Sequence, residues 1–319
     1  MSNSIKKYTV LFVDDEPRIT SALRAIFRKE YKVLIANSGA NALTILANND
    51  VDVIVSDQRM PEMLGNELLA TVSQQYPQTM RILLTGFMDK QAIVNSINEG
   101  EIYRFINKPW NNNQMREVIA EAALASEIPV IDFEQEAADN GSPDIAKSPS
   151  AEQPEQVLPA TKDRAMLMIE KQKDIRHQIR KFCNSQEIMI YGTQNTEQAV
   201  AAATSRESIG VAIVELSDDT SEAIQTINLL KQARPELITI VLTEEYDANT
   251  AVDLINQGQV FKYLAKPLDI SGFQQTIQKA FLRHSFLKKN VRSRSRYKVE
   301  KTQGILASLQ GLFKRFASA

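Results

Sequence analysis

Cysteine is almost missing from this chain. Cys183 is the single one in 319 residues, so no internal disulfide can form, and such usage fits a reducing, cytoplasmic setting. Residues 1–7 lead straight into a β-branched run and lack the apolar core of a signal peptide. No apolar run approaches the roughly 20 residues needed to span a bilayer. Net charge is small too, at −2, but it is unevenly placed: residues 127–161 carry eight acids and one lysine, whereas 283–319 carry ten Lys/Arg and one glutamate. No helix-turn-helix signature accompanies that basic end, so sequence-specific DNA binding has no support.

What is present is organised around Val51–Pro61. An apolar run of the length of a buried strand ends in Asp57, and Pro61 stops any continuation of the ladder. In a doubly wound α/β sheet, ligands meet the carboxyl ends of the strands, so Asp57 is a carboxylate offered at the sheet mouth. Further strands are expected at Tyr8–Val13, Tyr31–Ala36, Met80–Leu84 and Ile102–Ile106. Helices follow each of them, the first opened by Pro17, the second capped by Ser38, and the fourth carrying Ile93, Val94 and Ile97. Strict strand–helix alternation, five times over, predicts a parallel sheet covered on both faces. Asp14, Asp15, Asp57, Thr85 and Lys108 then all fall at carboxyl ends of strands. Taken singly, Asp15 reads as a helix cap, Asp57 as a turn residue and Lys108 as a solvated charge; the set in register points to a site.

The acidic pair, the Asp57-x-x-Met60-Pro61 segment, the Leu84-Thr85-Gly86 strand end and Lys108-Pro109 resemble the receiver domain of two-component response regulators, the CheY-like family. The resemblance covers about residues 7–125 and implies a flavodoxin-like sheet. It implies Asp57 as phosphoacceptor, with Asp14, Asp15, Asp57 and the backbone carbonyl of Arg59 around Mg²⁺. Lys108 would neutralise charge on the transferred group, and Thr85 would hydrogen-bond a phosphoryl oxygen. Thr85 and Phe105 would carry the switch to the face formed by the fourth helix, fifth strand and fifth helix. A cis bond at Lys108–Pro109 belongs to the same pattern. The implied donor is a sensor histidine kinase or a histidine phosphotransfer protein. Leu64 departs from the pattern, where the family often has Asp.

The first domain is expected over residues 1–126. Residues 127–162 hold five of the eleven prolines among acids, Ser, Ala and Gln, and read as a disordered, acidic, proline-rich tether. The pattern then returns. Asn95–Pro109 has a counterpart in Asp253–Pro267 at an offset of 158, which also maps Pro77 to Pro235 and Thr85 to Thr243. Residues 163–284 are therefore expected to form a second receiver-like, five-stranded parallel sheet. Its chemistry is altered. Glu215 stands for Asp57, Glu170-Lys171 for Asp14-Asp15, and Lys171 puts a cation in the metal position, while Thr243, Tyr263 and Lys266 persist. Glu215 either reaches Lys266 as a fixed negative charge or is simply solvated. Residues 285–319 are read as a basic segment and an amphipathic helix with apolar positions from Ile305 to Phe316. The basic region 283–319 is a candidate contact for protein, anionic membrane or nucleic acid. His177 and His284 lack a phosphotransfer motif and are expected at the surface. No catalytic output domain is expected beyond the second sheet, so the signal would leave through protein contacts to a downstream partner that the sequence does not name.

Overall fold

The computed structural model describes residues 7–86, 102–128, 164–216, 220–244, 248–258 and 260–297. The predicted tether at 127–162, the helix around Ile93–Ile97 and the amphipathic stretch at 305–316 lie almost wholly or entirely outside the described residues. The chain separates into two compact units: Met1–Val130 with Tyr246–Gln259, and Ile131–Glu245 with Val260–Ala319.

In the first unit β1 (Thr9–Val13), β2 (Lys32–Ala36), β3 (Val53–Asp57), β4 (Met80–Thr85) and β5 (Arg104–Asn107) form one all-parallel sheet in the order β2-β1-β3-β4-β5. Every residue of β1, β3 and β4 is buried, as a strand covered on both faces requires. The helices α1 (Pro17–Phe27), α2 (Gly39–Asn48), α3 (Gly65–Gln75) and α4 (Asn112–Ser126) supply the cover. Pro17 opens α1, Leu23 and Phe27 form its buried stripe, and the Phe12 and Phe27 rings meet at 5.3 Å. Ser38 caps α2 by accepting from the Asn41 N–H (3.1 Å).

The second unit repeats the plan with β6 (Ala165–Ile169), β7 (Met189–Gly192), β8 (Ile209–Glu215), β9 (Ile238–Thr243) and β10 (Lys262–Ala265), in the order β7-β6-β8-β9-β10. Helices α5 (Lys173–Ser185), α6 (Thr196–Ser205) and α7 (Thr220–Ala233) follow, then α8 (Ala248–Gly258) and α9 (Ile270–Lys289). Apolar clusters lie on both faces of this sheet, one around Ile179, Phe182 and Phe273, the other around Leu167, Val200 and Leu230. Both units therefore have the flavodoxin-like arrangement.

Three details differ from the sequence reading. Helix α9 runs past 284 to Lys289 because Phe286 and Leu287 complete the core, and a 3-10 turn (Val291–Tyr297) follows. Two of the cations counted in the basic region are thereby used by the fold. Arg283 is buried over the Phe261 ring, and Arg294 pairs with Glu236 (3.5 Å) and donates to the Leu287 carbonyl (2.8 Å). His177 is exposed, as expected, but His284 is buried. Its Nδ1 lies 3.0 Å from the Glu236 carbonyl, and only glycine at 210 leaves room, since a Cβ there would stand 2.6 Å from the ring. Helix α8, encoded within the second repeat, is part of the first unit.

Near His284, Lys231 is buried and donates to the Leu237 carbonyl (2.6 Å); burial pulls its pKa down to about 7. A lysine whose pKa falls on folding favours the folded state least when both states are protonated, so its contribution is lost as pH drops from its unfolded value toward 7. Lys231→Met should flatten the rise in stability between pH 7 and 10, by up to about 1.4 kcal/mol per pH unit, in urea unfolding of the second unit. An unchanged slope would place the titration elsewhere.

Candidate acidic site of the first unit

The site is built where β1, β3 and β5 end. Asp14 follows β1, is 1% exposed, and is fixed on two sides: its Oδ1 accepts from the Glu16 N–H (2.9 Å) and its carbonyl from the Asn37 amide (3.1 Å). Asp57 is the last residue of β3, paired with Leu84 in the ladder. Lys108 follows β5, its N–H donating to the Thr85 carbonyl (2.8 Å), which ties the ends of β4 and β5 together. The Lys108 ammonium stands 2.7 Å from Asp57 Oδ1 and 3.2 Å from Asp14 Oδ2. Asp14, Asp15 and Asp57 each present a carboxylate oxygen, all within 4.8 Å of one another. Thr85 is buried, and its hydroxyl donates to the Gly86 carbonyl (3.1 Å). Phe105 is buried on β5, and Arg59 is exposed just after β3. The Lys108–Pro109 bond is cis, and so is its counterpart Lys266–Pro267.

Electrostatics set the chemistry. Burial pushes the Asp57 pKa up, and the Lys108 hydrogen bond offsets this only in part. Burial, the largest single influence, would lower the Lys108 pKa, but Asp57 and Asp14 together outweigh it and raise the pKa, so the ammonium stays charged. Three carboxylates then face one cation, which leaves the cluster short of positive charge. Hard oxygen donors at this spacing suit a divalent ion such as Mg²⁺, which takes one or two carboxylates and keeps other positions for water and phosphate oxygens. The helix-cap alternative for Asp15 fails, because α1 starts at Pro17 with Glu16 in the cap position and no side-chain cap bond.

Sequence reasoning missed the residues that hold Asp57 from behind. The Gly65 N–H donates to the Gln58 carbonyl (3.0 Å), the Gln58 side-chain amide donates to Asn66 Oδ1 (2.8 Å), and the Asn66 backbone N–H donates to Gln58 Oε1 (3.2 Å). A Cβ on Gly65 would overlap the Asp57 carbonyl oxygen, so α3 can approach β3 only with glycine there. Glycine at a helix start was the one signal available. Gly65→Ala should cost about 2 kcal/mol through overpacking and weaken Mg²⁺ binding as Asp57 is displaced, checked by urea unfolding and metal titration.

The matching pocket of the second unit is filled by its own side chains. Glu215 pairs with Leu242 as Asp57 pairs with Leu84, both 158 residues apart, so Glu215 occupies the Asp57 position. It is not solvated: Oε1 lies 2.6 Å from the Lys266 ammonium, and Oε2 accepts from the Lys171 N–H (2.8 Å). Glu170 lies 3.1 Å from the same ammonium. Burial pushes Glu170 up toward its neutral form; on Glu215 burial acts the same way but is outweighed by Lys266, the Lys171 N–H and Glu170 together, which hold that carboxyl down. Lys266 thus already meets both acids, and Lys171 stands where the first unit has Asp15.

Residues 10–120 match the family model described as the response regulator receiver domain. Over 122 residues the chain is 38% identical to the hydrogenase transcriptional regulatory protein HoxA of Cupriavidus necator, covering 38% of this chain and 25% of that protein. A similar protein of the same name from Bradyrhizobium diazoefficiens is 36% identical over 114 residues, covering 36% of this chain and 24% of the relative. The signal receiver domain of an HD domain-containing protein from Pseudomonas fluorescens aligns at 36% identity over 38% of this chain and 98% of that one, with a TM-score of 0.37. The chain thus spans about a quarter of the length of the curated relatives it matches. Residues 10–120 are a response regulator receiver domain, followed later in the chain by a second sheet of the same receiver-like topology.

Proposed function

We propose that the protein is a two-component response regulator whose first unit accepts a phosphoryl group on Asp57 from a histidine kinase or histidine phosphotransfer protein. The observation that carries this reading is the Lys108 ammonium 2.7 Å from Asp57 Oδ1, beside two further carboxylates. An Asp57 carboxylate oxygen forms the new O–P bond as the donor's P–N bond breaks and its imidazole leaves. Lys108 balances charge on the phosphoryl oxygens, and Thr85, at the end of the neighbouring strand, is placed to bond one of them. Asp14, Asp15 and Asp57 would hold Mg²⁺, with the Arg59 carbonyl as a further ligand; the ion supplies positive charge to the phosphoryl oxygens when bound.

The signal leaves by protein contacts, and the chain works in the cytoplasm. No described helix is long and apolar enough to cross a membrane. Relatives named as transcriptional regulators share only their receiver part with this chain, so their outputs are not transferred to it. A second reading, an interaction scaffold whose affinity Asp57 tunes, is favoured by the second pocket, where Lys266 is already engaged by Glu215. Incubation with a small phosphodonor should give a base-labile acyl phosphate with Mg²⁺ and none with EDTA. A scaffold would bind its partner equally with and without beryllofluoride.

A further inference from the structure

One helix leaves the repeat that encodes it. Helix α8 lies in chain order between β9 and β10, yet it belongs to the first unit and packs along β5. Among the described strands β5 is the last in its sheet, so at Phe105 the outward backbone groups have no partner in another described strand. At Phe105 a single side chain takes both: the Phe105 N–H donates to Asn256 Oδ1, and Asn256 Nδ2 donates to the Phe105 carbonyl, each at 3.0 Å. A carboxamide carries a donor and an acceptor like a peptide group, so it extends the sheet by one link. Thr250, Ala251, Val252, Leu254 and Ile255 are all buried, so α8 is seated on more than one side. The 158-residue offset maps Asn256 to Asn98, Val252 to Val94, Ile255 to Ile97 and Gly258 to Gly100. The two repeats thus carry the same residues at these four positions.

We propose that the open edge of the receiver sheet at β5 is an intrachain docking site for helix 248–258 of the second repeat, seated by the Asn256 carboxamide, and that this helix reports the state of Asp57. The second clause rests on Asp57 being the phosphoacceptor. The link is short. Lys108, which binds Asp57, lies three residues along from Phe105, about 10 Å of extended chain. A change in the Lys108 position therefore acts on the strand that Asn256 grips.

The test is amide hydrogen exchange of the full chain, resolved at Phe105. Asn256→Ala should speed exchange at Phe105 about tenfold, while Asn98→Ala leaves it within about twofold. The reverse pattern, or no effect of either, overturns the docking. Asn256→Leu, which keeps much of the side-chain volume but removes both donor and acceptor, should also speed exchange, with protection at Val55 and Leu83 showing that the sheet is intact. Beryllofluoride with Mg²⁺ should change exchange across residues 250–256 by about threefold in wild type and not in Asp57→Asn. No change, with normal Asp57 labelling, overturns the reporting role alone. Absent labelling overturns the phosphoacceptor reading, and the Phe105 pattern still judges the docking.

Discussion

Asp57→Asn should bring labelling by a small phosphodonor with Mg²⁺ down to background, and Glu215→Gln should leave it at the wild-type level. The asparagine amide keeps the shape of the side chain but has no anionic oxygen to attack phosphorus. It also removes one of three carboxylates from the cluster, so metal affinity should fall with it. Glu215 occupies the same place in its own sheet, yet both its oxygens are already bound, one by Lys266 and one by the Lys171 N–H. The acid pair that would help hold a cation is Glu170-Lys171, with a lysine where the first unit has Asp15. A carboxylate so held, without a metal beside it, is a poor nucleophile. Intact-protein mass spectrometry after labelling distinguishes the outcomes. Label remaining on the asparagine variant would place the acceptor elsewhere, and loss of label in Glu215→Gln would mean that the second pocket supports the first.

The residues that make this site were readable because each sits where a strand stops. Apolar runs ending in Asp14, Asp57, Thr85 and Lys108 need only the rule that strand ends share one mouth of a parallel sheet. Register, too, was readable through the 158-residue offset, which correctly put Glu215 in the Asp57 position. What periodicity could not supply was the partner of each charge. Whether Glu215 meets Lys266 or water depends on side-chain rotamers, not on spacing. His284 was misplaced for a related reason. A histidine on a helical stretch has no pattern of its own, and its burial depends on Gly210, 74 positions earlier in the chain. Gly65 likewise works through a contact with the Asp57 backbone that no local motif announces. The location of α8 was beyond reach, since the sequence around Val94–Gly100 matches that of Val252–Gly258 at Val252, Ile255, Asn256 and Gly258. A repeat tells what kind of surface a helix fits; it does not say which copy of that surface the helix takes.

The second pocket predicts the larger stability effect. Lys266 has a side chain 4% exposed, and it is the only ammonium among the described residues paired with the fully buried Glu170 and the nearly buried Glu215. Lys266→Met keeps much of the volume and removes the charge, leaving two buried carboxyl groups side by side. Breaking a buried ion pair in this way costs about 3–5 kcal/mol, more than replacing the whole set by neutral groups. Adding Glu215→Gln to Lys266→Met should therefore recover part of the loss, since an amide can still bond the Lys171 N–H without a charge to stabilise. The Glu215 contribution to the pH response should also change sign, whereas Glu170, already raised by burial, keeps its own. In wild type Lys266 holds Glu215 below the ordinary glutamate range, so its contribution is present above that range and is lost as pH falls through it. Without the lysine, both carboxyl groups prefer their neutral forms, and lowering the pH toward the carboxylate range should stabilise the variant. Urea unfolding followed at several pH values reads both effects. A variant that loses less than about 1 kcal/mol, or that gains nothing relative to wild type on acidification, would show that the ammonium does not neutralise these acids, and the constitutive pairing would have to be abandoned.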